Sequence, residues 1–347
     1  MSDSSTTLKD EMEESMKKIH YQSFDDWVQH FAINLENIWD ESSAKDLEPD
    51  KNRKQKNNLA VVIGRGPSIK KHGHLELLAQ SNYNGSIVCT DGSLINVLKA
   101  GITPEKFPKF YVVTIDPYQF IEQHFDDPII AKFGSKINGV FSIITHPKVV
   151  SLARNAGIKI HWLHTLFDYN EGKKSFNHIS SMMVRAKNHV NGLPAIQTGG
   201  NVGTSSWFVA WRILKNDTVA LIGINHGWED EDVSVMIRAH QKRLGDNAEI
   251  IKKDDPKYNN YFKKIYNPDF KCEAIVDPIF QFYRAGLIEF ISRSPSWVTT
   301  INATEGGSIF GRNLRLFRAI LGYLGLLGLL VEDKPIHKPY TKCSHVL

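Results

Sequence analysis

Cysteine is scarce in this sequence: Cys89, Cys272 and Cys343 are three in 347 residues, odd in number and far apart. They form neither a disulfide framework nor a metal-ligand spacing, and they fit a reducing cytosol. An excess of one charge is lacking too, since 42 Lys and Arg against 38 Asp and Glu leave a net +4. So small a surplus admits an anionic ligand but argues against nucleic acid as a partner. The longest apolar run, Leu316–Val331, contains Arg318 and is too short to span a bilayer comfortably, so no transmembrane segment is expected. It reads as a packed C-terminal helix. The N-terminus is acidic, serine-rich and polar, unlike a signal peptide. A cytoplasmic location is expected. Several catalytic signatures are missing as well. No Gly-Lys-Ser/Thr closes a Walker A loop, and no Gly-x-Ser-x-Gly forms a nucleophile elbow. The pairs His72/His74 and His161/His164 lack carboxylates at zinc spacing.

What is present is an alternation of short apolar runs and polar turns. Leu59–Ile63 breaks into Gly64-Arg65-Gly66-Pro67-Ser68. Further strands are expected at Ser86–Thr90, Tyr111–Ile115, Gly139–Thr145, Ile158–Leu163, Asp217–Ile222 and Trp297–Ile301. Continuous apolar runs of this length suit strands buried on both faces. With helical stretches between them they predict a mostly parallel, Rossmann-like α/β sheet with helices on both faces. Asp10–Leu47 is expected to be helical, capped near Ser23 and Asp26, with Phe24, Trp27, Phe31, Leu35 and Trp39 as a docking face. The charged stretch Glu48–Asn58 marks a boundary. The expected organisation is an N-terminal helical region with linker (1–58), an α/β domain (59–311) and a C-terminal helix and tail (312–347). Within the α/β domain, 229–270 reads as an insertion, and Phe167–Gln197 as a flap.

Parallel sheets hold ligands beyond the carboxyl ends of their strands. There the sequence places its candidate chemistry. Gly64, Arg65, Gly66, Pro67 and Ser68 make a tight turn whose backbone could approach a phosphate, with Arg65 as a bidentate clamp. A second glycine-rich loop, Thr198, Gly199, Gly200, Asn201, Gly203 and Thr204, precedes a helical stretch and offers amides to an anion. Asp91, beside Gly92, and Asp116 follow two strands. They could share a magnesium ion, cap the next helices, or, for Asp91, hold a ribose. Glu305, in Asn302–Gly307, could be a metal ligand, a base, an acceptor for a heterocycle, or the start of the last helix. Asn225 and His226 follow a strand end and are candidates for substrate contact.

Taken together, Gly64-x-Gly66-Pro67-Ser68, Thr90-Asp91-Gly92, Gly101-Ile102-x-Pro104, Ile115-Asp116-Pro117, Thr198-Gly199-Gly200-Asn201-Val202-Gly203 and Leu221-Ile222-Gly223 resemble the MptE-like family. The resemblance covers roughly Leu59–Trp228, and Asn302–Gly307 resembles the accessory-factor branch. That family includes archaeal 6-hydroxymethyl-7,8-dihydropterin diphosphokinase and the flagellin-modifying motility accessory factors. It implies a nucleotide-binding α/β domain. In one branch ATP, with magnesium, donates pyrophosphate to a pterin hydroxymethyl group, and here Asp91 and Asp116 could hold the ion. In the other, a nucleotide-activated nonulosonic acid is the donor. The expected activity is therefore a diphosphokinase with Asp91, Asp116 and Glu305 as catalytic residues. A glycosyltransferase and a non-catalytic nucleotide-binding protein are the alternatives, with a dehydrogenase the weakest. The expected partners are a nucleotide and a small pterin; homo-oligomerisation is left open.

Overall fold

The computed structural model describes residues 8–49, 58–168, 173, 175–187, 189, 192–229, 234–238, 253–256, 258–311 and 315–316. Its strands, in chain order, are β1 Ser42–Ser43, β2 Leu59–Ile63, β3 Ser86–Thr90, β4 Phe110–Thr114, β5 Asn138–Ser142 and β6 Lys159–Thr165. They continue with β7 Ala195–Ile196, β8 Thr218–Ile222, β9 Lys263–Asn267, β10 Cys272–Val276, β11 Thr299–Asn302 and β12 Arg315–Leu316. Among the described residues ten strands form one sheet, ordered β1-β6-β5-β4-β3-β2-β8-β11-β12, with β7 beside β6. Every pairing in it is parallel. The expected α/β fold is therefore found, with the main strands within a few residues of their expected limits.

Both faces of the sheet are covered, which is why its central strands read as unbroken apolar runs. Val61, Ile63, Ile87, Cys89 and Val112 face one core, and Ala60, Val62, Val88, Val113 and Val140 face the other. The first core is closed by helices α1 Leu8–Asp40, α3 His74–Gln80, α4 Leu94–Lys99 and α6 Pro147–Asn155. The second is closed by α8 Val202–Phe208, its π-helical continuation Val209–Ile213 and the helix Pro278–Ser292. The chain thus winds from β2 outward to β6 on one face. It then returns on the other face to lay β8 against the opposite side of β2. The switch in winding direction falls between β2 and β8.

Three local expectations change. The first helix runs from Leu8 through Ser23, so Ser23 is not its cap. It stops at Asp40 rather than Leu47, because Ser42 and Ser43 pair with His161 and Trp162. Ser43 then forms a capping box with Asp46 at the head of a 3₁₀ turn. Phe31 and Leu35 of the expected stripe are buried in the first core, with Trp27 and Trp39 packed against it, and Ile38 joins them. The stretch read as a flap holds a packed helix, α7 Phe176–Arg185, which buries Val184. Between 229 and 276 the described residues include the antiparallel hairpin β9–β10 and a small cluster of Met236, Tyr258, Phe262 and Ile275. Most of the charged linker and nearly all of Leu316–Val331 lie outside the described residues.

Candidate functional site

At the carboxyl ends of β3 and β4 the sequence delivers two acids to adjacent strands. Asp91 begins the 3₁₀ turn Asp91–Ser93 but does not cap it. Its carboxylate turns across the sheet, accepting a hydrogen bond from Thr114 Oγ1 at 2.7 Å and one from the Gly92 amide at 2.6 Å. Burial pushes its pKa up to about 6, against the pull of those two bonds and of Arg65. Asp116 is half-buried and accepts no hydrogen bond from the described residues. Burial, then the nearby charge of Asp91, raise its pKa to about 7, with Arg65 opposing. Two carboxyl groups that resist ionisation together are poised to gain from a cation.

Arg65 reaches this pair from the end of β2. Gly92 lets it pass: a Cβ there would stand 2.7 Å from Arg65 Cδ. The exposed guanidinium lies 3.4 Å from His124 Nε2 and makes no ion pair among the described residues. Burial, helped by Arg65, holds the His124 imidazole neutral, its pKa down to about 4. This arrangement offers a guanidinium fork that could take an anion and two raised carboxyls that could take a divalent cation. His124 escaped the sequence reading because nothing local marks it; only the fold brings it to Arg65. Thr114 carried a faint signal, a hydroxyl at the end of an otherwise apolar strand.

The glycines of the first loop serve a different purpose. The Gly64 amide donates to Ile222 O at 2.9 Å and the Gly66 amide to Gly223 O at 2.8 Å. A Cβ on Gly64 would stand 2.3 Å from Gly223 O, and one on Gly66 2.0 Å from Asn225 Oδ1. Ser68, fully buried, donates to that same Asn225 oxygen at 2.9 Å. What approaches this loop so closely is the loop after β8. Of the five residues from Gly64 to Ser68, Arg65 is the one that the structure turns to the acid pair.

The second glycine loop caps α8. Asn201 Oδ1 accepts from the Thr204 amide at 2.9 Å, and its Nδ2 donates to Thr204 Oγ1 at 3.0 Å. Gly199 and Gly200 have φ of 56° and 78°, so glycine is required here by the backbone itself. Behind them a Gly200 Cβ would stand 2.7 Å from Tyr283 of the helix Pro278–Ser292. The α8 helix packs across β2, β3 and β4. Ile224 joins the two loops. Its Cδ1 lies 2.6 Å from where a Gly64 Cβ would be and 3.0 Å from where a Gly203 Cβ would be.

The remaining candidates are not brought to the acids. Glu305 sits at a φ of 57° in a turn, not at a helix start, and its carboxylate lies 3.6 Å from His74 Nε2 and 3.9 Å from His72 Nδ1. Asn225 ties together the turns of Gly66, Ser68 and Ser308. His226 is buried against Phe280 and Tyr283, with ring centroids 6.3 and 6.0 Å away. Burial drives its pKa down to about 3, so it is a neutral ring at physiological pH. Among the described residues no three His, Cys, Asp or Glu side chains gather as a metal cage.

A parallel sheet whose winding reverses beside β2, with polar loops at the carboxyl ends of its strands, defines a Rossmann-like α/β protein. The chain belongs to the MptE-like family: the model for 6-hydroxymethylpterin diphosphokinase MptE-like proteins matches residues 29–231. Among solved structures, it is similar to a MAf glycosyltransferase from Magnetospirillum magneticum AMB-1, with a TM-score of 0.50 and 14% sequence identity. That match covers 82% of this chain and 38% of the other. No curated protein matches the sequence.

Proposed function

We propose that the chain is a nucleotide-dependent transferase that moves pyrophosphate from ATP to 6-hydroxymethyl-7,8-dihydropterin. The observation that carries this reading is the half-buried, unbonded Asp116 beside Asp91, both with raised pKa, under the unpaired guanidinium of Arg65. In the reaction the hydroxymethyl oxygen attacks the β-phosphorus of ATP. The bond from that phosphorus to the α-phosphate's bridging oxygen breaks, AMP leaves, and the hydroxyl proton is lost. Such a transfer asks a protein mainly for positioning and charge neutralisation.

Asp91 and Asp116 suit Mg²⁺, which binds through one or two carboxylates plus substrate phosphates rather than through a protein cage. When bound, the ion would supply charge neutralisation at the phosphates. Arg65 would hold a non-bridging phosphate oxygen pair. The family match to 6-hydroxymethylpterin diphosphokinase MptE-like proteins supports the substrate. The test is direct: purified protein with ATP, Mg²⁺ and hydroxymethyldihydropterin forms AMP in proportion to consumed pterin. Absence of AMP overturns the proposal.

A glycosyltransferase is the second reading. It is favoured by the described residues beyond the family match, since the helix Pro278–Ser292 packs on the second glycine loop and the fold resemblance to the MAf glycosyltransferase spans most of the chain. A larger thermal shift with CMP or UDP than with ATP supports this reading over the first.

A further inference from the structure

We infer that Tyr118 and Phe120 form a stacking platform for a flat heteroaromatic ring, and that this ring belongs to the acceptor of the transfer rather than to the nucleotide. Calling it the acceptor's ring rests on the transferase reading of the acid pair; the platform itself rests on the turn that carries the two side chains.

The chain leaves β4 through Asp116 and Pro117 and enters the 3₁₀ turn Gln119–His124, with Tyr118 extended at its head. The turn is anchored from beneath. Ile121 and the following Phe125 are each 3% exposed in the first core, and the turn packs on α6. Tyr118 and Phe120 are not drawn into that core and stay 39% and 50% exposed. Their rings lie 5.6 Å apart and 13° from parallel, an offset stack that a further planar ring can continue. A hydrogen bond between the Tyr118 and Ser23 side chains pins the stack to α1. Aromatic rings held in place and half in water suit a stacking ligand, since little side-chain freedom remains to be lost on binding.

The turn also reaches the acid pair from two directions. It packs against the turn Asp91–Ser93, and its last residue, His124, meets Arg65 at 3.4 Å. Tyr118 stands two residues past Asp116, so their Cα atoms are about 7 Å apart at most. Burial, then the charge of Asp116, raises the Tyr118 pKa, and the phenol stays neutral. This nearness selects which ring stacks. The phosphates are held by Arg65 and the acids' cation, and the accepting hydroxyl must meet the phosphorus in line. A hydroxyl one carbon from its ring brings that ring beside the phosphates. The adenine of ATP stands further off, behind the ribose and the α-phosphate.

The test titrates the whole chain with 6-hydroxymethylpterin, followed by the pterin's fluorescence, and with ATP and Mg²⁺, followed by calorimetry. Both titrations are repeated with Phe120→Leu, which keeps an apolar side chain but deletes the π face, and with Phe120→Trp, which restores one. Phe120→Leu should weaken the pterin about tenfold, the usual worth of one stacked ring. Phe120→Trp should bind it within about threefold of wild type, and ATP affinity should be the same in all three proteins. A side chain that only props the turn would not be replaced by tryptophan and would disturb ATP as well. If Phe120→Leu fails to fold, as a thermal melt reads, Tyr118→Leu removes the other ring and carries the same expectation. Unchanged pterin affinity in a folded variant overturns the platform, even in a protein that forms AMP. Loss of ATP affinity in step with the pterin overturns the assignment to the acceptor. Pterin held on these rings by a protein that forms no AMP leaves the platform standing and overturns the diphosphokinase. A wild-type protein that binds no pterin overturns both.

Discussion

Two neighbouring stretches of the sheet's carboxyl edge look alike in sequence and behave oppositely. The seam between β2 and β8 is where the winding switches, the usual place for a ligand crevice. It is packed shut by Gly64, Gly66 and Ser68 against Gly223 and Asn225. One strand over, the ends of β3 and β4 hold Asp91 and Asp116, which Arg65 reaches from β2, with carboxyls kept partly protonated by burial. The difference teaches that a glycine motif reports close approach and not what approaches. Chemistry should concentrate at the acids and stability at the seam.

That contrast can be broken in order of expected size. Asp116→Asn should slow AMP formation about a thousandfold, roughly 4 kcal/mol, if it holds the cation; an unchanged steady-state rate puts the chemistry elsewhere. Gly64→Ala should cost about 3 kcal/mol of stability, because its Cβ meets a backbone carbonyl that cannot step aside. A urea midpoint within error of wild type would show that the seam is not tightly closed. Arg65→Ala should weaken nucleotide binding by about 2 kcal/mol while the melting temperature of the free protein stays put. Calorimetric titration checks the first half and a thermal melt the second.

The acids also set a pH dependence. Their folded pKa values lie above the unfolded ones, so between about pH 4 and 7 the folded state holds more protons than the unfolded state. Stability of the metal-free protein therefore falls as pH rises through that window. Asp116→Asn should flatten this fall by about 2 kcal/mol, discounted for its partial exposure. Urea unfolding at pH 5 and pH 8 reads the difference; parallel profiles for the two proteins would remove it. Ser68→Ala, which deletes one buried hydrogen bond at the seam, should cost about 1 kcal/mol in the same assay and leave turnover intact.

The central strands were legible because a strand buried on both faces leaves an unbroken apolar run. The edge strands β1, β7 and β12 were not, since two residues carry no period. The helix Pro278–Ser292 had a readable start, Asp277 capping the Phe280 amide with Pro278 in the first turn, but the expected pattern passed over it. Of the site, Arg65, Asp91 and Asp116 could be picked out as polar residues just beyond strand ends. His124 could not, because its only claim on the site is tertiary. Glu305 was grouped with the acids by its polar turn, and the sheet order sends it instead to His72 and His74.

Ile224 carries one last implication. Wedged between the two glycine loops, it makes them a single mechanical part, although they lie far apart along the chain. The segment shared with the family ends at residue 231, shortly after this wedge is delivered. The aromatic backing of the second loop, Tyr283 and Phe290, comes from outside it. The joint between the loops thus lies inside the matched segment and its aromatic backing outside it. A transplant of residues 29–231 alone would carry the joint between the loops and lose the support behind Gly199 and Gly200.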